Sequence, residues 1–500
     1  MRCNRHIILF ALGLLAAGPL RATGVVAVPL PDPGIQGFHF PESEATILTW
    51  VHDMNSGGSA ADAAFTNLHL HGWGLWTALT LPTNQVDGFD RLRVFETWYT
   101  PQEFDGQFTL HFLNSAPSTP ASAPQETDAP VSPRAAASVA PRIAPAPRVR
   151  SALQNFVQFE HGLQPRDREL LRQQSGGSET VFGYVKFDPT AAAHVMQQNL
   201  LSTAALNQLV MGGAQQIPVF PSTSITLKSA FQVISAKTLV DGRYYRLNVW
   251  SGPPATPQAY PQYLWPGVVW IDIQGGGSGA GLTDTLASTD GGTRTDQTTY
   301  PISSIINHQM TPVEAAQFRA TDPGTDAKAG DYVILVAMHV AGREITRWTW
   351  QTFWWTPTPD DPKLPSSTAI AGLRPSALTG AARNYAMAIG YDMTTPSQPN
   401  VGGQNAGDAI YTYNPYLEAR FGPENLTDSL PGDGPDGKPS ANNVGVNCNC
   451  MSCHVRANYN PNNLATAPEY AGARYTDLND PQFAGTLQVD FLWSLPEMAQ

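Results

Sequence analysis

Leu68, His71, Leu75, Trp76 and Leu79 recur at helical intervals through NLHLHGWGLWTALTLP, and Pro82 follows them. That spacing predicts a helix with one apolar face, ended by the proline. RLRVFETWYTPQEF then reads as a strand leading to a turn, and FTLHFL as another short strand by its alternation. In FDPTAAAHVMQQNLLSTAALNQLV, Asp188 and Pro189 predict the cap and first turn of one helix, and Ser202 the cap of a second. From residue 217 to residue 357 the pattern changes. SITLKSAFQVIS, RYYRLNVWSG, GVVWIDIQ, DYVILVAMHVA and TRWTWQTFWW are rich in β-branched and aromatic residues and predict strands. Their density points to an antiparallel sandwich or similar stack of sheets. Beyond residue 360 the chain is rich in loops, with helical pieces such as ARNYAMAIGY. The expected class is α+β, mostly β: an antiparallel sandwich-like region, flanking helices and a loop-rich C-terminal segment packed on the sheets.

Composition narrows the partners. Charged residues are 14% of the chain, against ~25% in ordinary globular proteins, and the net charge is −12 with no basic run. Such a chain is a poor match for nucleic acid or an anionic membrane surface. MRCNRHIILFALGLLAAGPLRATG has a basic start, a short apolar core and small residues up to Ala22, the pattern of a secretory signal peptide over residues 1–22. The expected location is therefore periplasmic or secreted. No later stretch is an integral membrane segment, since YVILVAMHVA is about half of the ~20 apolar residues a helix needs to span a bilayer. A helix and strand segment covers 23–114. Residues 115–150 are dominated by Pro, Ala and Ser with no aromatic, and read as a linker or disordered insertion. Residues 151–360 hold the helix pair and the β-rich region, and 361–500 the C-terminal segment.

Two glycine-rich loops carry no chemistry. QGGGSGAG lacks the Lys-Ser/Thr end of a phosphate loop. PGDGPDGKPSANN offers Asp433 and Asp436 at a spacing that matches no calcium loop, and reads as solvated turns.

Cysteine is the informative residue. The chain has four, and three lie in VNCNCMSCHV, as Cys448, Cys450 and Cys453. Cys450-Met451-Ser452-Cys453-His454 is a C-x-x-C-H sequence, the spacing of c-type haem attachment. Two thiols three positions apart reach the two vinyl groups of one haem, and the next histidine becomes an axial iron ligand. One covalent haem c is thus the expected cofactor. Competing readings are a Cys450–Cys453 redox disulfide, a chance occurrence, and a zinc site made of Cys448, Cys450, Cys453 and His454. Four zinc ligands within seven residues leave little room for a tetrahedron. Cys448 is left over, as a free thiol beside the cofactor or an intermolecular partner.

The second axial position decides between electron transfer and small-ligand chemistry. His339, in a strand that is apolar on both faces, is the distal candidate. Its competing reading is a buried core histidine satisfied by hydrogen bonds. His308 and Met310, in SSIINHQMTP, are weaker candidates on an expected loop. His69 and His71 do not share a helical face and so make no joint metal site. Arg456 and Arg474, the cations nearest the motif, are candidates to pair with haem propionates.

These stretches resemble exported bacterial cytochrome-family proteins, which carry one C-x-x-C-H near the C-terminus behind a long region without haem. The resemblance runs through HGWGLWTALTLP with VFETWYTP, YVILVAMHVAG with RWTWQTFWW, YNPYLEARF, NNVGVNCNCMSCHVRANY and RYTDLNDPQFAGTLQVDFLWSLP. It implies covalent haem at Cys450 and Cys453 with His454 on the iron, and Trp-rich parts belonging to the same unit. In that family an acidic residue or histidine tends to follow the Thr-Phe that matches Thr352-Phe353; here Trp354 and Trp355 stand there.

The leading functional expectation is a periplasmic monohaem c-type cytochrome-like protein that transfers electrons, with a redox partner the sequence does not name. One rival is a haem-dependent oxidoreductase acting on peroxide or oxygen, with a cleft built from Trp73, Trp76, Trp98, Trp348, Trp350, Trp354 and Trp355. The other is a ligand-binding β module that carries a haem.

Overall fold

The computed structural model describes residues 25–54, 56–87, 90–101, 181–279, 293–321, 325–395, 408–421, 443–444, 449–462 and 475–499. Residues 1–22, expected to be a signal peptide, FTLHFL, residues 115–150, expected to be a linker, Asp433, Asp436, Cys448 and Arg474 lie outside these residues.

Helices α1 (Glu44–Asp53) and α2 (Gly58–Thr80) come first, then the hairpin of β1 (Pro82–Asp87) and β2 (Asp90–Arg93). β3 (Phe182–Phe187) leads into α3 (Pro189–Gln197) and α4 (Thr203–Met211). The caps are those the sequence predicts: the Asp188 carboxylate accepts from Thr190 N and Ala191 N, and Ser202 Oγ from Ala205 N. β4 (Ile225–Ile234), β5 (Leu239–Val240), β6 (Tyr244–Val249), β7 (Gly267–Asp272), β8 (Thr299–Pro301) and β9 (Asn307–Gln309) precede α5 (Pro312–Thr321). β10 (Tyr332–Gly342) and β11 (Thr349–Trp355) form a long hairpin, followed by α6 (Thr368–Gly372) and β12 (Tyr385–Ile389). The C-terminal part holds β13 (Thr394–Thr395), β14 (Asp408–Ala409), α7 (Pro415–Glu418), α8 (Cys450–His454), β15 (Asn458–Tyr459), β16 (Leu487–Gln488) and α9 (Ser494–Met498).

The fold is α+β with a predominance of strands. The largest sheet runs β12-β11-β10-β4-β3, with β9 also on β10, and every pairing is antiparallel. A second sheet runs β5-β6-β7-β8 and is antiparallel except between β7 and β8. Both feed one apolar core, with Ile225, Leu335 and Val336 from the first and Tyr245, Leu247, Val269 and Ile271 from the second. Among the described residues no helix is long and apolar enough to cross a membrane.

The large sheet has two unlike faces. Strand alternation puts Met338, Val340, Phe353 and Met387 on one of them. There α2 packs: Trp76 stacks on Phe353 with ring centroids 4.4 Å apart, and its Nε1 donates to Ala382 O at 2.9 Å. Gly72 makes the approach possible, since a Cβ there would lie 2.8 Å from Met387 Sδ. The opposite face carries Lys228, His339, Thr352 and Trp350, and a second core lies at one end of it.

Four local expectations change. α2 is buried around its whole circumference from His71 to Thr80, not along one stripe, because the sheet and the chain around Phe38 both cover it. In VFET the strand stops at Arg93 and a 3-10 turn follows, because Glu96 Oε2 folds back to accept from Arg93 N at 2.6 Å. ARNYAMAIGY gives an edge strand, Tyr385–Ile389, after a short 3-10 turn. Its apolar run has no polar face to leave in water, and Tyr385 Oη donates to Leu335 O at 2.6 Å. His308 stands on β9 and not on a loop.

Candidate functional site

α8 is only five residues long, and its geometry sorts the motif into two sides. Cys450, Cys453 and His454 are spaced i, i+3, i+4 and share one face; all three remain partly exposed. Met451 and Val455, spaced i, i+4, are buried in the second core with Phe187, Ala341 and Trp350 from the sheet. So short a helix cannot hold itself. Its N-cap Asn449, 1% exposed, accepts from Ser452 N through Oδ1 at 2.9 Å. The Asn449 amide donates to Asp392 O at 2.7 Å, Ile410 O at 3.1 Å and Met393 O at 3.3 Å. Replacing Asn449 with Asp keeps the cap but sets a carboxylate against three carbonyls. Urea unfolding is expected to show a loss of about 3 kcal/mol, whereas Asn449→Ser, a good cap, should cost less.

His454 is fixed from two directions. Its ring packs against Trp350, with centroids 4.3 Å apart, and its Nδ1 is 2.7 Å from Phe491 O. A carbonyl oxygen only accepts, so this bond places the proton on Nδ1 and leaves the Nε2 lone pair available. Burial lowers the His454 pKa to about 3; the Phe491 carbonyl opposes this, while the His339 and Lys228 charges add to it. The imidazole is therefore neutral at physiological pH, the form that binds iron. Cys450 and Cys453 carry free thiols. Enough protein surrounds them to disfavour ionisation, and the negative charge of Glu418 adds to the effect. Cys453 is pushed up to about 12 and Cys450 is also raised well above its usual value.

The sheet face opposite α2 opens toward this helix. Val185, Lys228 and His339 lie directly opposite one another on β3, β4 and β10. Each is the single interior position of its strand that is not buried. His339 is thus half-buried and not enclosed as expected, with 15% of its side chain exposed. Its Nε2 is 2.7 Å from Glu418 Oε1, and Glu418 Oε2 accepts from Asn414 N. His339 Nδ1 has no hydrogen-bond partner. Asn414 in turn donates to Thr352 Oγ1 at 2.8 Å, tying α7 to the same row of the sheet.

These residues fit a covalently held haem. The two thiols and the neutral imidazole lie close enough to the sheet face that Glu418 acts on both thiols and His339 and Lys228 act on His454. The alternatives fit less well. The zinc reading also needs Cys448, which lies outside the described residues, and among the described residues no three of His, Cys, Asp and Glu gather around one point.

Of the other residues singled out in the sequence, Arg456 is buried just after the helix and its charge acts on Cys453. His308 lies elsewhere, in a buried pair with Glu314 at 3.1 Å, and Met310 is in the main core. His71 faces away on α2, bonded to Tyr391 Oη at 2.6 Å and Glu344 Oε1 at 2.9 Å. His69 bonds Phe65 O. All seven tryptophans named above are buried, so they build core and not an open cleft wall; Trp350 alone among them packs on the motif histidine. Sequence reasoning missed Glu418, Lys228 and Phe491. Comparison with protein-family models, with curated proteins and with solved structures finds no match to this chain.

Proposed function

We propose that this chain is an exported monohaem c-type protein that transfers electrons. Cys450 and Cys453 would hold the haem through their two thiols, which lie on one face of α8. His454, whose Nδ1 is bonded to Phe491 O, would offer Nε2 to the iron. Arg456, buried beside Cys453, is the propionate partner among the described residues. When bound, the haem supplies a one-electron ferric/ferrous couple. The observation that carries this reading is the Nδ1 bond of His454 to Phe491 O, which orients the imidazole and leaves Nε2 unused. The resemblance to exported cytochrome-family proteins and the signal-peptide pattern of residues 1–22 support it. A redox titration of the holoprotein is expected to show one reversible one-electron couple; an irreversible response would contradict electron transfer.

A second reading, peroxide or oxygen chemistry, is favoured by one observation. His339 and Glu418 form a hydrogen-bonded acid–base pair beside the motif, and His339 Nε2 is committed to Glu418 and not held out for iron. Carbon monoxide separates the two readings. Slow or absent binding to the ferrous protein supports a closed electron carrier. Rapid binding supports an open site served by the His339–Glu418 pair.

A further inference from the structure

The carbonyl that orients His454 comes from an improbable piece of backbone. Asp490 and Phe491 are consecutive residues with φ of 47° and 69°, in the left-handed region that residues with a Cβ, Asn and Asp excepted, seldom adopt. Neither is glycine, and two in succession need the surroundings to impose the conformation. The surroundings are visible. The Asp490 side chain is 0% exposed, and its Oδ2 accepts from Arg343 Nε and from Phe220 N, each at 3.0 Å. Arg343 is anchored in turn, through Nη1 to Ile345 O at 2.8 Å and through its own N–H to Ser224 O at 2.9 Å. Further along the strap, Val489 N donates to Ala457 O and Leu492 N to Val489 O. The motif helix is thus tied to the β10–β11 corner through one carboxylate.

We propose that Asp490, held by Arg343, is the positioning residue for His454. It locks residues 490–491 in the left-handed turn that aims Phe491 C=O at Nδ1. It thereby sets the tautomer and the ring plane of the histidine and the electron-donating strength of Nε2. The proposal rests on His454 being the axial ligand, but its first test does not need haem.

In the full-length apo-protein, nitrogen NMR of His454 reads the ratio of Nδ1–H to Nε2–H tautomers. Wild type is expected to hold the Nδ1–H form. Asp490→Ala should lower that ratio about tenfold, the loss of one hydrogen bond. Asp490→Asn should restore most of it, because asparagine tolerates the left-handed region and keeps an oxygen for Arg343. In the holoprotein Asp490→Ala should also raise the reduction potential, since an imidazole without its Nδ1 acceptor donates less to ferric iron. Arg343→Lys, at a partly exposed position, serves as the second variant and should move both readouts in the same direction by less. If folded Asp490→Ala and Arg343→Lys both keep the wild-type tautomer ratio and potential, the positioning role is overturned. Absence of haem from wild-type protein would instead overturn the axial-ligand reading and leave the tautomer result standing on its own.

Discussion

Protein carrying Cys450→Ser and Cys453→Ser together is expected to retain no haem after denaturation and gel electrophoresis. Each single variant should keep one thioether and a weaker haem stain. The expectation follows from the helix, where Cys450 lies three residues before Cys453 and four before His454. A Cys448→Ser change should leave attachment intact, since the C-x-x-C spacing is already complete without it. The fold should survive the double substitution. The buried anchors of the helix are Asn449, Met451 and Val455, while both cysteines are only partly buried. Near-ultraviolet circular dichroism of the double variant resembling that of the apo wild type would separate lost attachment from lost folding. If the double variant still holds haem covalently, the attachment assignment fails.

The second large effect lies on the other face of the sheet. Trp76→Ala is expected to destabilise the protein by about 4 kcal/mol, within the usual range for truncating a buried tryptophan. The side chain is fully buried, stacks on Phe353 and packs against Tyr385 with centroids 4.9 Å apart. Its removal opens a cavity between α2 and the two strands β11 and β12, and leaves Ala382 O without the Nε1 donor. Trp76→Phe, which keeps an aromatic ring for the stack but not the donor, should cost less than half as much. Urea unfolding of the three proteins measures the difference. A change under about 1 kcal/mol for Trp76→Ala would show that α2 is not the principal cover of this sheet face.

The elements that the sequence makes readable are those whose signal is local. Asp188-Pro189 and Ser202 announce their helices because capping depends on a side chain and the two or three residues after it. DYVILVAMHVA and TRWTWQTFWW are readable as strands because few other structures accommodate such runs. The C-x-x-C-H spacing is local too, and is the basis of the proposed haem attachment. ARNYAMAIGY misleads because an apolar run buried on both sides has no periodicity, so partner strands and not pattern decide its form. Lys228 and Glu418 are hidden for a different reason. They reach the motif only through strand register and the placement of α7, more than 30 residues away in the chain from Cys450 at the nearest. Phe491 acts through its main chain, which any residue supplies, and the left-handed turn at Asp490 and Phe491 has no glycine to mark it. Glu418 does fall within YNPYLEARF, one of the stretches that carries the resemblance, but a lone acidic residue there gives no hint of His339 as its partner.

The most direct measurement is peptide mass spectrometry of the holoprotein purified from an exporting host, over the segment that contains residues 448–454. The expected result is one haem joined to Cys450 and Cys453, with Cys448 unmodified by it. Haem on Cys448, a Cys450–Cys453 disulfide, or two free thiols with no haem would contradict it.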